Sequence, residues 1–158
     1  MGKKSNKKVP PKEWESIGNE HSFVRFYRSQ FNSPAYRALS FEARELYRIL
    51  KAEYTGVYSD ARVGVNTVIC PYTTIKSFGI RPNNIPLRIK ELGMFGFIEC
   101  DGGGFNKPST YKFICKWGTI TEESAEELKK QLADIKREQK RLADIKRQKK
   151  RPPPNNPL

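Results

Sequence analysis

An α+β fold is predicted for this chain: a small helical core closed by a β-hairpin and followed by a long basic helix. Three observations predict it. Residues 40–56, SFEARELYRILKAEYTG, carry the spacing of a helix with one buried face. Residues 71–96 read as two helices parted by a tight, glycine-containing turn. Two short apolar stretches, FIEC and TYKFIC, then flank a run of three glycines, the pattern of a hairpin and its tip. The 158 residues amount to about one domain, leaving room for one modest core and some appended segments.

Taken in order, SFVRFYRSQF (22–31) alternates loosely and is rich in aromatics, which predicts a strand or an extended segment laid on the core. In NSPAYRAL, Ser33 can cap and Pro34 stands at the first helical position, so a short helical turn is predicted. The next helix has Ser40 as cap and Glu42 and Glu45 near its positive end. Ala43, Leu46, Tyr47, Leu50 and Tyr54 form its inward stripe, and Gly56 closes it. The β-branched ARVGVNTVIC (61–70) predicts a strand. Pro71 opens PYTTIKSF, a helix stopped by Gly79. The following NNIPLRIKELGMFG places Ile85, Ile89 and Leu92 on one face and Asn84, Arg88 and Glu91 on another. Pro86 within this helix removes a backbone donor, so the helix either begins near Asn84, with Pro86 in its first turn, or is kinked. Residues 121–151 contain neither Gly nor Pro, set acids at the start and bases at the end, and repeat LADIKR at a ten-residue step. Ala125, Leu128, Leu132, Ile135 and Leu142 occupy seam-like positions that Gln139 and Lys146 interrupt. That pattern leaves a solvated basic helix and a short dimerising coiled coil both open. PPPNNPL cannot continue a helix.

The net charge of +13 is carried by the two ends. Residues 1–12 hold five lysines and no acid, and residues 129–151 hold eleven bases against three acids. Residues 13–128 hold fourteen charges of each sign, although residues 21–121 alone are +7. The expected organisation is a disordered basic arm over 1–20, a folded domain over 21–118, a charged helix over 119–151 and a disordered Pro-rich tail over 152–158. Cys70, Cys100 and Cys115 form no C-x-x-C pair, so neither a disulfide framework nor a thiolate zinc site is indicated. No apolar run reaches the length of a membrane span, and the lysine-rich start lacks the apolar segment of a signal peptide. A cytoplasmic, nucleoid-associated protein without cofactor, metal or membrane partner is the expectation.

Strand, helix, strand, helix-turn-helix and hairpin follow one another here. From Phe23 to about Trp117, through FVRFY, YRALSFEARELYRIL and IRPNNIPLRIKELGMFGFIEC, the chain resembles the winged-helix domains of plasmid and phage replication initiators and phage-encoded regulators. The resemblance implies double-stranded DNA as partner, with the third helix in the major groove. It places Arg81, Asn83, Asn84 and Arg88 near base edges, residue types that suit guanine and adenine. It places Thr73, Thr74 and Lys76 on the preceding helix, and Lys107 with the glycine backbone of the wing, against phosphates. Basic ends on either side of such a domain would add sequence-independent phosphate contacts.

Gly102, Gly103 and Gly104 fit neither a P-loop nor a dinucleotide loop, and a strand rather than a helix follows them. His21 is the only histidine, and no H-E-x-x-H, G-x-S-x-G or kinase pattern is present, so no catalytic residue is assigned and no enzyme is expected. The expected role is that of a small transcriptional regulator or replication-initiation factor of a phage or plasmid. A homodimer through the C-terminal helix and a replication or transcription partner are its companions. The alternative is an adaptor in which the domain is a scaffold and the 121–151 helix docks a protein or RNA.

Overall fold

The computed structural model describes residues 24–54, 64–102 and 109–149. Within them lie six α-helices and one three-stranded antiparallel sheet, an α+β layout compatible with the winged-helix expectation. The helices are α1 (Arg28–Phe31), α2 (Pro34–Ala38), α3 (Phe41–Glu53), α4 (Tyr72–Ser77), α5 (Ile85–Met94) and α6 (Glu122–Lys149). The strands are β1 (Thr67–Ile69), β2 (Ile98–Asp101) and β3 (Thr110–Phe113), in the order β1-β3-β2. Central Tyr111 stands opposite Val68 on one side and Cys100 on the other.

The helix starts follow local chemistry. Ser33 Oγ accepts from the Tyr36 N–H at 3.1 Å and Pro34 is the first residue of α2. Ser40 Oγ accepts from the Ala43 N–H at 3.3 Å at the start of α3. Each bond satisfies one of the donors that a helix end leaves free. The inward face of α3 (Ala43, Leu46, Tyr47, Ile49 and Leu50) meets Ile85 and Leu92 of α5 together with Phe95, Phe97 and Tyr111, all buried.

One segment departs from its expectation. The stretch predicted as a strand over 22–31 pairs with no strand among the described residues; Val24–Tyr27 is irregular and Arg28–Phe31 is helical. Side chains rather than a ladder hold it. The Phe26 ring meets Phe31 and Tyr47 edge-on at centroid distances of 6.2 and 6.3 Å. Gln30 Nε2 donates to the Tyr47 hydroxyl at 2.8 Å, and the Lys51 ammonium donates to the Arg25 carbonyl. Strand β1 is also shorter than predicted, because Gly64–Asn66 form a turn with Asn66 at φ 57°. The expected stop at Gly56 and the glycines at 103 and 104 lie outside the described residues.

The passage from α5 to β2 needs a glycine. The Phe97 N–H donates to the Leu92 carbonyl and the Gly96 N–H to the Gly93 carbonyl, at 3.0 and 3.1 Å, closing the helix with Gly96 at φ +74°. Gly96 O then accepts from the Trp117 N–H at 3.1 Å, within a short 3-10 turn (Lys116–Thr119) that the sequence did not announce. The Phe97 and Trp117 rings stack there with centroids 6.0 Å apart.

Helix α6 is about 42 Å long at 1.5 Å per residue, and its first half belongs to the body. Ala125 and Leu132 are buried and Leu128 is half-buried, and the helix packs on α2, with Arg37 paired to Glu122. Residues 136–148 are all exposed. A ten-residue step turns a helix by about 80° short of whole turns, so the second LADIKR copy faces elsewhere, with Leu142 and Ile145 in solvent. The apolar half of the seam that a coiled coil would use is thus covered by the protein's own domain. Pairs Lys129–Glu126, Arg137–Asp134 and Arg141–Glu138 lie three residues apart along the exposed surface of the helix.

Candidate nucleic-acid interface

The segment from α4 through the turn after it to α5 is one-sided in charge. Between Pro71 and Met94 stand the bases Lys76, Arg81, Arg88 and Lys90 and a single acid, Glu91. Glu91 is buried at 1% exposure, whereas Lys76, Arg81 and Lys90 are exposed and make no ion pair among the described residues. Thr73 and Asn83 are exposed as well, and Thr74 is half-buried. Gly79, at φ +91°, gives the turn between the helices its left-handed step. α5 begins at Ile85 with Pro86 in its first turn, the first of the two alternatives that Pro86 posed: the proline replaces a donor that would have lacked an intrahelical partner anyway.

The structure does not present Arg88 and Asn84 outward as expected. The Arg88 side chain is only 11% exposed: its Nε donates to Glu42 at 2.8 Å and its Nη1 to Glu91 at 2.6 Å. Asn84 Nδ2 donates to both Glu42 carboxylate oxygens, at 3.0 and 3.1 Å. Glu91 in turn accepts from the Ser40 N–H at 2.6 Å and the Ser40 hydroxyl at 2.9 Å, so one carboxylate covers the start of α3 and anchors Arg88. The polar face of α5 that carries Asn84, Arg88 and Glu91 is therefore turned to α3. A buried carboxylate demands such partners, since an unpaired charge in the interior is costly. Lys107 lies outside the described residues.

Burial alone would raise the Glu42 carboxyl, but the Asn84 amide and the hydrogen bond and charge of Arg88 hold it below its ordinary value of 4.5. For Arg88, burial would lower the guanidinium, and its bonds to Glu91 and Glu42 raise it instead. A carboxyl lower in the folded than in the unfolded state stabilises the fold above the unfolded value and loses that contribution as pH falls through the folded one. Glu42→Gln is accordingly expected to flatten the fall of stability below pH 4.5, read by urea unfolding at a series of acid pH values. An unchanged acid limb would show that Glu42 is not linked to folding.

Two residues escaped the sequence reading. Glu91 was visible only as a member of the polar face, although its three-residue spacing from Arg88 is the signal of a pair on one helix. Lys90 was passed over, although Pro86, Lys90 and Gly93 at i, i+4 and i+7 share a face about 100° round the helix from the inward stripe, and all three are exposed. Elsewhere, burial pushes the Cys70 thiol up to about 11, keeping it protonated. Among the described residues no group of three or more His, Cys, Asp or Glu could hold a metal ion, and no helix is long and apolar enough to cross a membrane. Comparison with models of protein families, with curated proteins and with solved structures finds no match to this chain.

Proposed function

We propose that this chain binds double-stranded DNA through a winged-helix domain in which α4, the turn and α5 face the duplex, acting as a small regulator or replication-initiation factor of a mobile element. The single observation that carries the reading is the segment from Pro71 to Met94, where every exposed charge is positive and the one acid is turned inward against α3. Apart from Glu42, which Asn84 and Arg88 already engage, a polyanion meets cations there, and Thr73, Asn83, Lys76 and Arg81 offer donors suited to phosphate oxygens. Arg88 and Asn84 serve this reading as positioning residues that hold α5 on α3. The basic bias of α6 and of both ends of the chain adds contacts that do not depend on sequence.

In-vitro selection from a random duplex library by the whole chain at about 150 mM salt tests the reading. An enriched motif supports it; retention without enrichment sinks the sequence-reading part. In the same assay Lys76→Ala and Arg81→Ala are expected to weaken all duplexes alike, each lowering the salt slope by about 1. A second reading has its own observation. Leu142 and Ile145 are 48% and 41% exposed on the basic projecting half of α6, which suits docking to a partner protein. Loss of partner capture but not of DNA binding in a Leu142→Ala/Ile145→Ala variant would favour that adaptor role.

A further inference from the structure

We infer that the outward face of α5, formed by Pro86, Leu87, Lys90 and Gly93, reads bases, and that it takes a guanine at Lys90 within about two base-pair steps of thymines at Pro86 and Leu87. The inference rests on the DNA reading above and names the sequence class which that surface selects.

Glycine at position 93 is the first observation. Only proline is a poorer helix former, and nothing among the described residues asks for a glycine there. Gly93 does not have a positive φ, unlike Gly79 and Gly96. Among the described residues, a Cβ built on it meets only the Ile98 carbonyl oxygen, at an ordinary 3.7 Å. Neither backbone conformation nor packing among the described residues accounts for the residue, whereas close approach by an external surface does. Gly93 stands on the same exposed face as Pro86 and Lys90, so that face is where the approach occurs.

The chemistry of the face is the second observation. Lys90 is its one charged group, exposed and without an ion pair among the described residues. An ammonium has three donors and no acceptor. It therefore matches the paired acceptors O6 and N7 that guanine shows in the major groove, and mismatches the amino donor that adenine places beside its N7. Pro86 is exposed and Leu87 half-exposed, and neither side chain has a donor or an acceptor. Such groups discriminate by contact with the thymine methyl. Four residues of helix rise about 6 Å, close to two steps of about 3.4 Å along one strand. The cations suited to phosphates, Lys76 and Arg81, lie on α4 and in the turn rather than on this face.

The test uses the whole chain, the duplex it selects and single-base-pair variants of that duplex, with wild type, Lys90→Ala and Gly93→Ala compared. The selected motif should hold a G·C pair within about two steps of A·T pairs. Lys90→Ala should lose discrimination at that pair alone, by roughly tenfold or more. Gly93→Ala should melt above wild type, since alanine is the better helix former, and yet bind the selected duplex roughly tenfold more weakly. Stability and affinity moving in opposite directions is a result that a structural role for Gly93 cannot give. Equal loss on every duplex in Lys90→Ala would make the ammonium a phosphate contact and overturn the inference. Undiminished binding, or a lowered melting temperature, in Gly93→Ala would overturn it as well. A wild-type chain that enriches no motif would remove the DNA reading beneath it, an outcome visible before any variant is tested.

Discussion

Gly96→Ala should lower the melting temperature by roughly 12–24 °C, the largest effect expected of any single methyl added to this protein. A Cβ at this position would stand 2.7 Å from the Trp117 nitrogen and 2.8 Å from the Lys116 carbonyl carbon, both backbone atoms that no rotamer change can move. The residue also closes α5 at φ +74°, where an L side chain costs about 1–2 kcal/mol. Overpacking adds about 1–3 kcal/mol, so a loss of about 3 kcal/mol is the expected sum. Relief of the clash would require the 3-10 turn to retreat, unstacking Trp117 from Phe97 and cutting the bond from the Trp117 N–H to Gly96. Thermal unfolding by circular dichroism measures the outcome, with Gly93→Ala as a control three residues earlier whose Cβ has room. Equal melting of the two variants would contradict the close approach at Gly96.

Arg88→Met is expected to cost about 3–5 kcal/mol, because it leaves the Glu91 carboxylate, 1% exposed, with Ser40 as its one remaining partner among the described residues. The methionine keeps most of the side chain's length, so the loss reports the charge rather than a cavity. Adding Glu91→Gln to that variant should restore part of the stability, since the orphaned carboxylate is then gone, and the two substitutions should couple by about 0.5–3 kcal/mol. Chemical denaturation of the wild type, both single variants and the double variant gives the cycle. The same set separates two roles for the guanidinium. If it positions α5, the folded fraction of Arg88→Met keeps the base preference of the wild type. A fully stable Arg88→Met that had lost base preference would mean that the guanidinium reads DNA after all.

The sequence by itself determined the features that depend on neighbours in the chain. Ser33 and Ser40 cap because their hydroxyls reach amides three residues on, Pro34 starts a helix because its φ is already helical, and α3 and α5 show their inward stripes because a helix repeats every 3.6 residues. The hairpin of β2 and β3 and the long α6 were legible for the same reason. Their chemistry needs no distant partner.

Only the tertiary structure decided what each polar face meets. Periodicity places Asn84, Arg88 and Glu91 together on α5, but whether that face looks at solvent or at another helix depends on how α3 docks. Glu42, 46 residues before Arg88, settles it. An arginine suited to guanine and an arginine suited to a buried carboxylate are the same residue in one dimension. Likewise the alternation over 22–31 describes a segment able to pair as a strand, while pairing itself needs a free sheet edge in the right place, and aromatic packing on Tyr47 took its place. The clash at Gly96 comes from a turn some twenty residues away in the chain, and it arises only after folding has brought the two backbones into contact. Local hydrogen bonds and periodicity are written in the order of residues, whereas charge partners and close approaches are set by where the helices and strands come to rest.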